Sequence, residues 1–404
     1  DEPADQVRRF FVEEPEYYDR DSIYVDPDTG CDYADNDLRY GFLSRGLVAW
    51  IGQSEWRPDI VHLNDWQTAP AAAFLKRMRS HDPASAAVRT ILTIHNLAYQ
   101  GLFPPQRIGN LGLTPEEFFP QSTFEWQGQI GLLKAGLVTA DRINTVSAAY
   151  AEEIQTAPEY GLGLEAIFRE RAGVLTGILN GIDEDVWNPA ADPHITARYT
   201  SDELSGKAED KADLCARCGF APARCELPLL SIVTRLVDQK GIDLLVAIAD
   251  DLFAADANLV ILGTGERRFH EVFERWNAHH PDRFHAFLTF DDALAHQIEA
   301  GADIFLMPSK YEPCGLNQMY SLRYGTIPVV RATGGLRDTV RDADADPPTG
   351  NGFVFTAYEP AAFWDAIRRT LAAYRDRPRW AALMAHGMAS DFSWQRSANA
   401  YRVL

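Results

Sequence analysis

The chain has 404 residues, more than one ordinary core accommodates, so two domains are expected. Hydrophobic residues make up 46% and charged residues 24%, a globular composition, and no apolar run approaches the ~20 residues that span a bilayer. The formal net charge of -20 argues against nucleic acid or an anionic membrane as partner, and an anionic ligand would need a local basic site.

In chain order, Asp1-Glu-Pro-Ala-Asp5 is not a typical domain start, so the sequence is expected to be a fragment whose missing start could have carried a targeting segment. Runs rich in Val, Ile and Leu predict strands at Asp59–Leu63, Thr90–Ile94, Arg142–Val146 and Val174–Leu179. A second series is predicted at Leu229–Val233, Leu259–Leu262, Ala286–Thr289, Ile304–Met307, Thr326–Val330 and Gly352–Phe355. A helix is expected to start near Thr68–Ala69 with Pro70 in its first turn, and amphipathic segments are expected at Ile242–Phe253 and Leu294–Ala300. Alternating strands and helices of this kind predict an α/β fold of parallel sheets covered by helices. The turn formers of Trp187-Asn-Pro-Ala-Ala-Asp-Pro193 mark the start of a crossing between domains.

The five cysteines, Cys31, Cys215, Cys218, Cys225 and Cys314, are odd in number and widely spaced, which suits a reducing compartment rather than a disulfide framework. Cys215, Cys218 and Cys225 could suggest zinc, but no fourth Cys or His lies nearby and the first two fit one helix face. Trp50, Trp56 and Trp126 read as core rather than as sugar-stacking platforms.

Polar or Gly-rich motifs come directly after many of the predicted strands, where open parallel sheets bind ligands. Arg235 and Lys240 in Thr234-Arg-Leu-Val-Asp-Gln-Lys-Gly241 can converge on a diphosphate, although a lone basic pair is by default solvated. Glu312, in Pro308-Ser-Lys-Tyr-Glu-Pro-Cys-Gly-Leu-Asn-Gln-Met-Tyr320, is expected beside a helix start at Cys314-Gly315 that could hold a phosphate. Thr333-Gly-Gly-Leu336 opens a helix; its glycines either let amides approach an anion or sugar, or form an ordinary entry turn. Gly263-Thr-Gly-Glu266 reads mainly as a tight turn. His95 ends a strand, where it can donate to a sugar hydroxyl or a diphosphate or be structural. Asp65 stands in the same strand-end position, with a local role bonding turn amides as the alternative. Asp pairs at Asp26–Asp28, Asp35–Asp37, Asp183–Asp185 and Asp342–Asp346 read as turns, so neither metal nor other cofactor is expected.

These motifs together resemble the bacterial and plastid glycogen/starch synthases, retaining glycosyltransferases of family five with the GT-B fold. The resemblance runs over nearly the whole chain. It also rests on His62-Leu-Asn-Asp-Trp66, Thr93-Ile-His-Asn-Leu-Ala-Tyr-Gln-Gly101, Lys134-Ala-Gly136, Asn144-Thr-Val-Ser147, Leu179-Asn-Gly-Ile-Asp183, Arg323-Tyr-Gly-Thr-Ile-Pro328 and Asp391-Phe-Ser-Trp394. It implies two Rossmann-like parallel-sheet domains facing across a cleft. The acceptor-side domain would span residues 1–186 and the nucleotide-sugar domain 187–385, with a helix in 386–404 crossing back to the first. It implies transfer of glucose from ADP-glucose or UDP-glucose to the non-reducing end of an α-1,4-glucan, in a bacterial cytoplasm or, alternatively, a plastid. Other GT-B transferases and a silent glucan-binding homologue are the rival readings; a phosphorylase would need a pyridoxal-phosphate lysine site, which the sequence does not display.

The same resemblance puts Arg235 and Lys240 on the donor diphosphate, Glu312 and His95 at the transferred glucose, and Phe290 on the nucleobase. It adds Asn180 on the sugar, Asp65, Cys314, Gly315, Leu316 and Asn317 in the binding set, and Thr333, Gly334 and Gly335 beside Glu312. No residue stands out as nucleophile or general base, which fits a front-side transfer in which the leaving phosphate takes the acceptor's proton. Two departures stand out. The family's N-terminal Lys-x-Gly-Gly loop and the first strand of its sheet are absent from these residues. Tyr320 occupies the position, eight residues after Glu312, where many GT-B enzymes bind ribose with a second Glu.

Overall fold

The computed structural model describes residues 7–404, so the expectation about Asp1–Asp5 lies outside the described residues. The chain divides into two compact units: one runs to Thr145 and resumes over Ile154–Thr176, and the other comprises Val146–Glu153 and Gly177–Leu404.

The sheet of the first unit has the order Ile60–Asn64, Arg89–Ile94, Arg142–Thr145, Leu175–Gly177. The first three strands are parallel, with Leu63 beside Leu92 and Leu92 beside Ile143. Arg89–Ile94 is buried along all but its first residue, which explains its continuous apolarity. Pro70 begins the helix Pro70–Arg79, where its missing N–H costs nothing, and a one-turn helix, Asp65–Thr68, precedes it. A three-stranded antiparallel sheet of Leu102–Phe103, Gln129–Gly131 and Glu125–Trp126 was not predicted, because strands of two or three residues are too short to show a period. Trp126 and Trp50 are half-buried, whereas Trp56 is exposed and lies tilted against Trp50, so it is not core.

The second unit holds a six-stranded parallel sheet. Its order is Phe284–Phe287, Asn258–Leu262, Leu229–Val233, Ile304–Met307, Ile327–Arg331, Phe353–Phe355. Numbered within the unit this is 3-2-1-4-5-6, the doubly wound order, with the switch point between Leu229–Val233 and Ile304–Met307. Leu230, Ile232, Ile261, Leu306 and Val329 share one core with Phe363 and Ile367 of the covering helix Pro360–Arg375. The apolar stretch Ile242–Phe253 is two helices, Ile242–Ala247 and Ala249–Ala254, because Ile248 leaves helical geometry at φ -101°, ψ 13°. Cys215 and Cys218 do share a face: both are buried with Leu214, Phe220 and Val260. Among the described residues no group of three or more His, Cys, Asp or Glu converges as metal ligands. Nor is any helix among them long and apolar enough to cross a membrane.

Candidate active site

The site of the second unit forms where two neighbouring strands end at the switch point. After Val233 the chain turns through Asp238–Lys240 and reaches Gly241 at φ +72°. A Cβ there would stand 2.0 Å from the carbonyl oxygen of Pro308, so only glycine lets this turn lie against the loop that comes after Met307. The Lys310 amide donates to the Gln239 carbonyl at 2.8 Å and zips the two loops together. This contact brings Lys240 to Glu312: Nζ lies 2.6 Å from Oε2. The Ser309 hydroxyl donates to the same oxygen at 3.0 Å. Glu312 is only 6% exposed, and its Oε1 has no hydrogen-bond partner among the described residues. The carboxylate is therefore clamped by one oxygen and offers the other.

A cavity of about 240 Å³ opens at this point, lined by Arg235, Lys240, Ser309, Glu312, Leu316 and Asn317 among others. Arg235 is exposed, and its side chain has no hydrogen bond or ion pair with any described residue. An unpaired guanidinium beside a clamped carboxylate, in a chain of net charge -20, is suited to an anion that carries a polyhydroxyl group. Asn317 is held in place by donating from Nδ2 to the Val233 carbonyl at 2.6 Å.

The helix expected at Cys314-Gly315 begins two residues later, as Asn317–Arg323, because Gly315 sits at φ +70° and Leu316 is the cap. Cys314 is turned into an apolar cluster with Val146, Ile182, Met319 and Phe392, and burial pushes its thiol up to about 12. The Asn180 amide donates to that sulfur, which brings Asn180 beside the Glu312–Gly315 loop. Thr333 stands at the N-cap position of the helix Gly334–Thr339 without a capping side-chain bond. Cβ atoms on Gly334 and Gly335 would each lie 1.9 Å from a carbonyl oxygen, that of Glu312 and that of Cys314 respectively. The two glycines thus serve close packing against the loop that bears Glu312. Their amides are engaged within the protein: Gly334 donates to Glu153 Oε1 at 2.9 Å and Gly335 to the Glu312 carbonyl at 3.0 Å. Glu153 also accepts from the Thr333 hydroxyl at 3.2 Å, and burial raises its carboxyl above the ordinary range. Phe290 stands on the loop after Phe284–Phe287, 85% exposed.

Asp65 and His95 belong to the first unit. Asp65 adopts φ +54°, and its Oδ1 accepts the His95 amide at 2.7 Å. Its carboxyl therefore clamps the end of the neighbouring strand instead of the turn ahead of its own helix. Burial raises its pKa, opposed by the amides of His95 and Asn96. The His95 ring is turned to Asn64, with Nε2 3.0 Å from Oδ1.

Three features escape a reading of the sequence. Ser309 stands in the Glu312 motif with no role of its own assigned, although a hydroxyl three residues before a carboxylate in one loop is a usable local signal. Glu153 lies about 180 residues from its partners, and no local pattern marks it. Tyr320 stacks on Trp187 at 3.8 Å and 9°, and Trp187 stacks on His296 at 3.8 Å and 7°. The side chain at the expected ribose position is thus one layer of a three-ring stack.

Comparison with known proteins points the same way. The family described as "Starch synthase catalytic domain" matches residues 1–170, and "Glycosyl transferases group 1" matches residues 223–382. The glycogen synthase of Anaeromyxobacter sp. (strain Fw109-5) is 50% identical over 99% of this chain and 83% of its own length. The chain belongs to the glycogen/starch synthase family. The glycogen synthase of Moorella thermoacetica is 45% identical over 98% of this chain and 79% of its own. Among solved structures, the catalytic domain of starch synthase IV from Arabidopsis thaliana, bound to ADP and acarbose, superposes with a TM-score of 0.84. It shares 35% identity and covers 92% of this chain and 77% of its own. The fold of this chain is GT-B.

Proposed function

We propose that this enzyme transfers glucose from ADP-glucose to the non-reducing end of an α-1,4-glucan with retention of configuration. Family membership supports the reaction, and the ADP and acarbose carried by the solved starch synthase IV support the donor and the class of acceptor. The observation that carries the reading is the constellation at the switch point: free Arg235 beside Lys240, with Glu312 offering one oxygen.

In this reading Arg235 takes the donor diphosphate, and Lys240 shares its charge between Glu312 and the departing phosphate. Preorganised donors of this kind contribute about 3–4 kcal/mol each where negative charge develops. Glu312 Oε1 orients a hydroxyl of the transferred glucose and stabilises positive charge at the anomeric carbon. The proton of the acceptor hydroxyl goes to an oxygen of the leaving phosphate, since no residue stands out as a general base. Asn180, Cys314, Gly315, Leu316 and Asn317 complete the donor side, with Phe290 as the exposed ring for the nucleobase and the Thr333–Gly335 turn as support for Glu312. His95, held by Asp65, serves the transferred glucose from the first unit. The bacterial origin of the relatives supports a bacterial cytoplasmic enzyme, and the net charge of -20 speaks against nucleic acid or an anionic membrane as partner.

The test is transfer from radiolabelled ADP-glucose to glycogen by the protein. Arg235→Ala is expected to lower kcat/KM for ADP-glucose by about 10²-fold or more. Unchanged turnover in Arg235→Ala or Lys240→Ala would overturn the assignment. Labelling of small sugars instead of glycogen would move the protein to another GT-B activity.

A further inference from the structure

The helix Ala148–Glu153 lies in sequence between two stretches of the first unit, yet it belongs to the second. Three carboxylates join it to the Thr333 turn and the helix Gly334–Thr339. The Ala149 amide donates to Asp338 Oδ2 at 3.0 Å, and Glu152 pairs with Arg337. Glu153 accepts the Gly334 amide on Oε1 at 2.9 Å and the Thr333 hydroxyl on Oε2 at 3.2 Å. The three differ in weight. Glu152 and Arg337 are exposed, and an exposed ion pair contributes little. Glu153 is half-buried, and its two oxygens hold two successive residues of one turn.

That turn supports the loop that bears Glu312. The Gly335 amide donates to the Glu312 carbonyl at 3.0 Å and to the Pro313 carbonyl at 3.2 Å. The Gly334 backbone lies against the Glu312 carbonyl, where a Cβ would stand 1.9 Å from the oxygen. At the other end of the helix, the Thr339 hydroxyl accepts from Gln318 Nε2 at 3.1 Å, and the same nitrogen donates to the Cys314 and Gly315 carbonyls, each at 3.1 Å. Both ends of the helix thus hold the loop Glu312–Gly315, and its start touches Glu312 directly. The diphosphate side is carried separately: Arg235 and Lys240 stand on the turn after Val233, which meets the loop upstream of Glu312, at Pro308 and Lys310.

We propose that Glu153 is a positioning residue for glucosyl transfer, whose carboxylate fixes the Thr333–Gly335 turn and, through it, Glu312. The proposal rests on the glucan-synthase reading above, in which Glu312 Oε1 meets the transferred glucose. Glu153 sets where that oxygen stands, and a misplacement of about 1 Å at a reacting group costs about 10²-fold in rate. Reach matters more than charge here. An aspartate keeps the charge but withdraws the carboxylate by about 1.5 Å, one C–C bond. A glutamine keeps the reach: its oxygen accepts the Gly334 amide, and its nitrogen donates to the Thr333 hydroxyl.

The experiment is a double-mutant cycle on transfer to glycogen with Glu153→Ala, Glu312→Gln and the pair, and with ADP affinity read by calorimetry. Glu153→Ala is expected to lower kcat about tenfold or more, while the KM for ADP-glucose and the affinity for ADP stay within about twofold. In the Glu312→Gln background the same substitution is expected to cost less than about threefold, because the carboxylate it positions is gone. Glu153→Gln is expected to bring kcat back to within about threefold of wild type, and Glu153→Asp to recover less. Glu152→Ala, which removes the neighbouring exposed pair, is expected to leave kcat within about twofold. Where Glu153→Ala does not fold, Glu153→Asp takes its place in the cycle. A kcat in Glu153→Ala equal to that of wild type overturns the proposal, as does a loss that multiplies in full with that of Glu312→Gln. Wild-type turnover in Glu312→Gln alone would overturn the reading of Glu312 and the proposal with it, an outcome visible without any change at Glu153.

Discussion

Two lysine–glutamate arrangements of the second unit use the same residue types to opposite ends. At the strand ends Lys240 and Glu312 meet directly at 2.6 Å and line a cavity open to solvent. In the interior, Lys207 and Glu299 are sealed from water, and each is satisfied by neutral partners. Lys207 Nζ donates to the Ala300 carbonyl and to the Thr326 hydroxyl, both at 2.8 Å. Glu299 Oε2 lies 2.8 Å from the Ser321 hydroxyl, which is also 2.8 Å from the Asn317 carbonyl. Ser321 has one proton for those two acceptors, and a protonated Glu299 resolves the conflict by donating to Ser321. Burial pushes the Glu299 carboxyl up to about 8 and the Lys207 ammonium down to about 8, which favours the neutral form of each. The interior arrangement braces the helix Asn317–Arg323 through neutral partners, whereas Lys240 and Glu312 line a cavity where their groups are available to a ligand. Placement on a cavity and the choice of partners, not residue type, distinguish the two arrangements.

The comparison breaks most visibly at Glu312. Glu312→Gln is expected to lower kcat by about 10²- to 10³-fold while the thermal midpoint shifts little, read by glucosyl transfer and by calorimetry. A variant within tenfold of wild type would put Glu312 on the structural side of the divide (about 1.4 kcal/mol marks that line). Ser309→Ala tests whether the clamp on Oε2 matters. A fall in kcat of about tenfold is expected, with donor KM little changed, since one hydrogen bond to a charged group is lost. An unchanged kcat would show that Lys240 alone positions the carboxylate.

The smallest effect sharpens the other half. Glu299 is raised from 4.5 to about 8, so its stabilising contribution is complete below pH 4.5 and is lost as pH rises through about 8. Lys207 is lowered from 10.5 to about 8, so its contribution grows as pH rises from about 8 toward 10.5. Together they predict a shallow stability minimum near pH 8. Glu299→Gln keeps a donor to Ser321 in its side-chain amide and removes the acid-side slope, so urea midpoints at pH 6, 7 and 8 should fall less in the variant than in wild type. Parallel slopes would mean that Glu299 is charged in the fold.

The main architecture was legible in the sequence because strands buried on both faces cannot alternate. The runs at Leu229–Val233 and Ile304–Met307 were read to the residue, and the parallel α/β class came from them. Arg235, Lys240 and Glu312 were legible for a related reason: charge placed directly after such a run must stand at a strand end. Distant pairing was not legible. Glu153 meeting Thr333 and Gly334, and Trp187 lying between His296 and Tyr320, involve residues brought together only by the folded chain. Local reading placed the helix start at Gly315, but the backbone there is left-handed, and the helix waits until Asn317. Periodicity and strand-end position are properties of a short stretch of chain, and the sequence by itself determined both. Lys240 sharing Glu312 with Ser309, and Lys207 and Glu299 shifting toward neutrality, depend on which groups share a few ångströms and how much water they keep. Only the tertiary structure decides that.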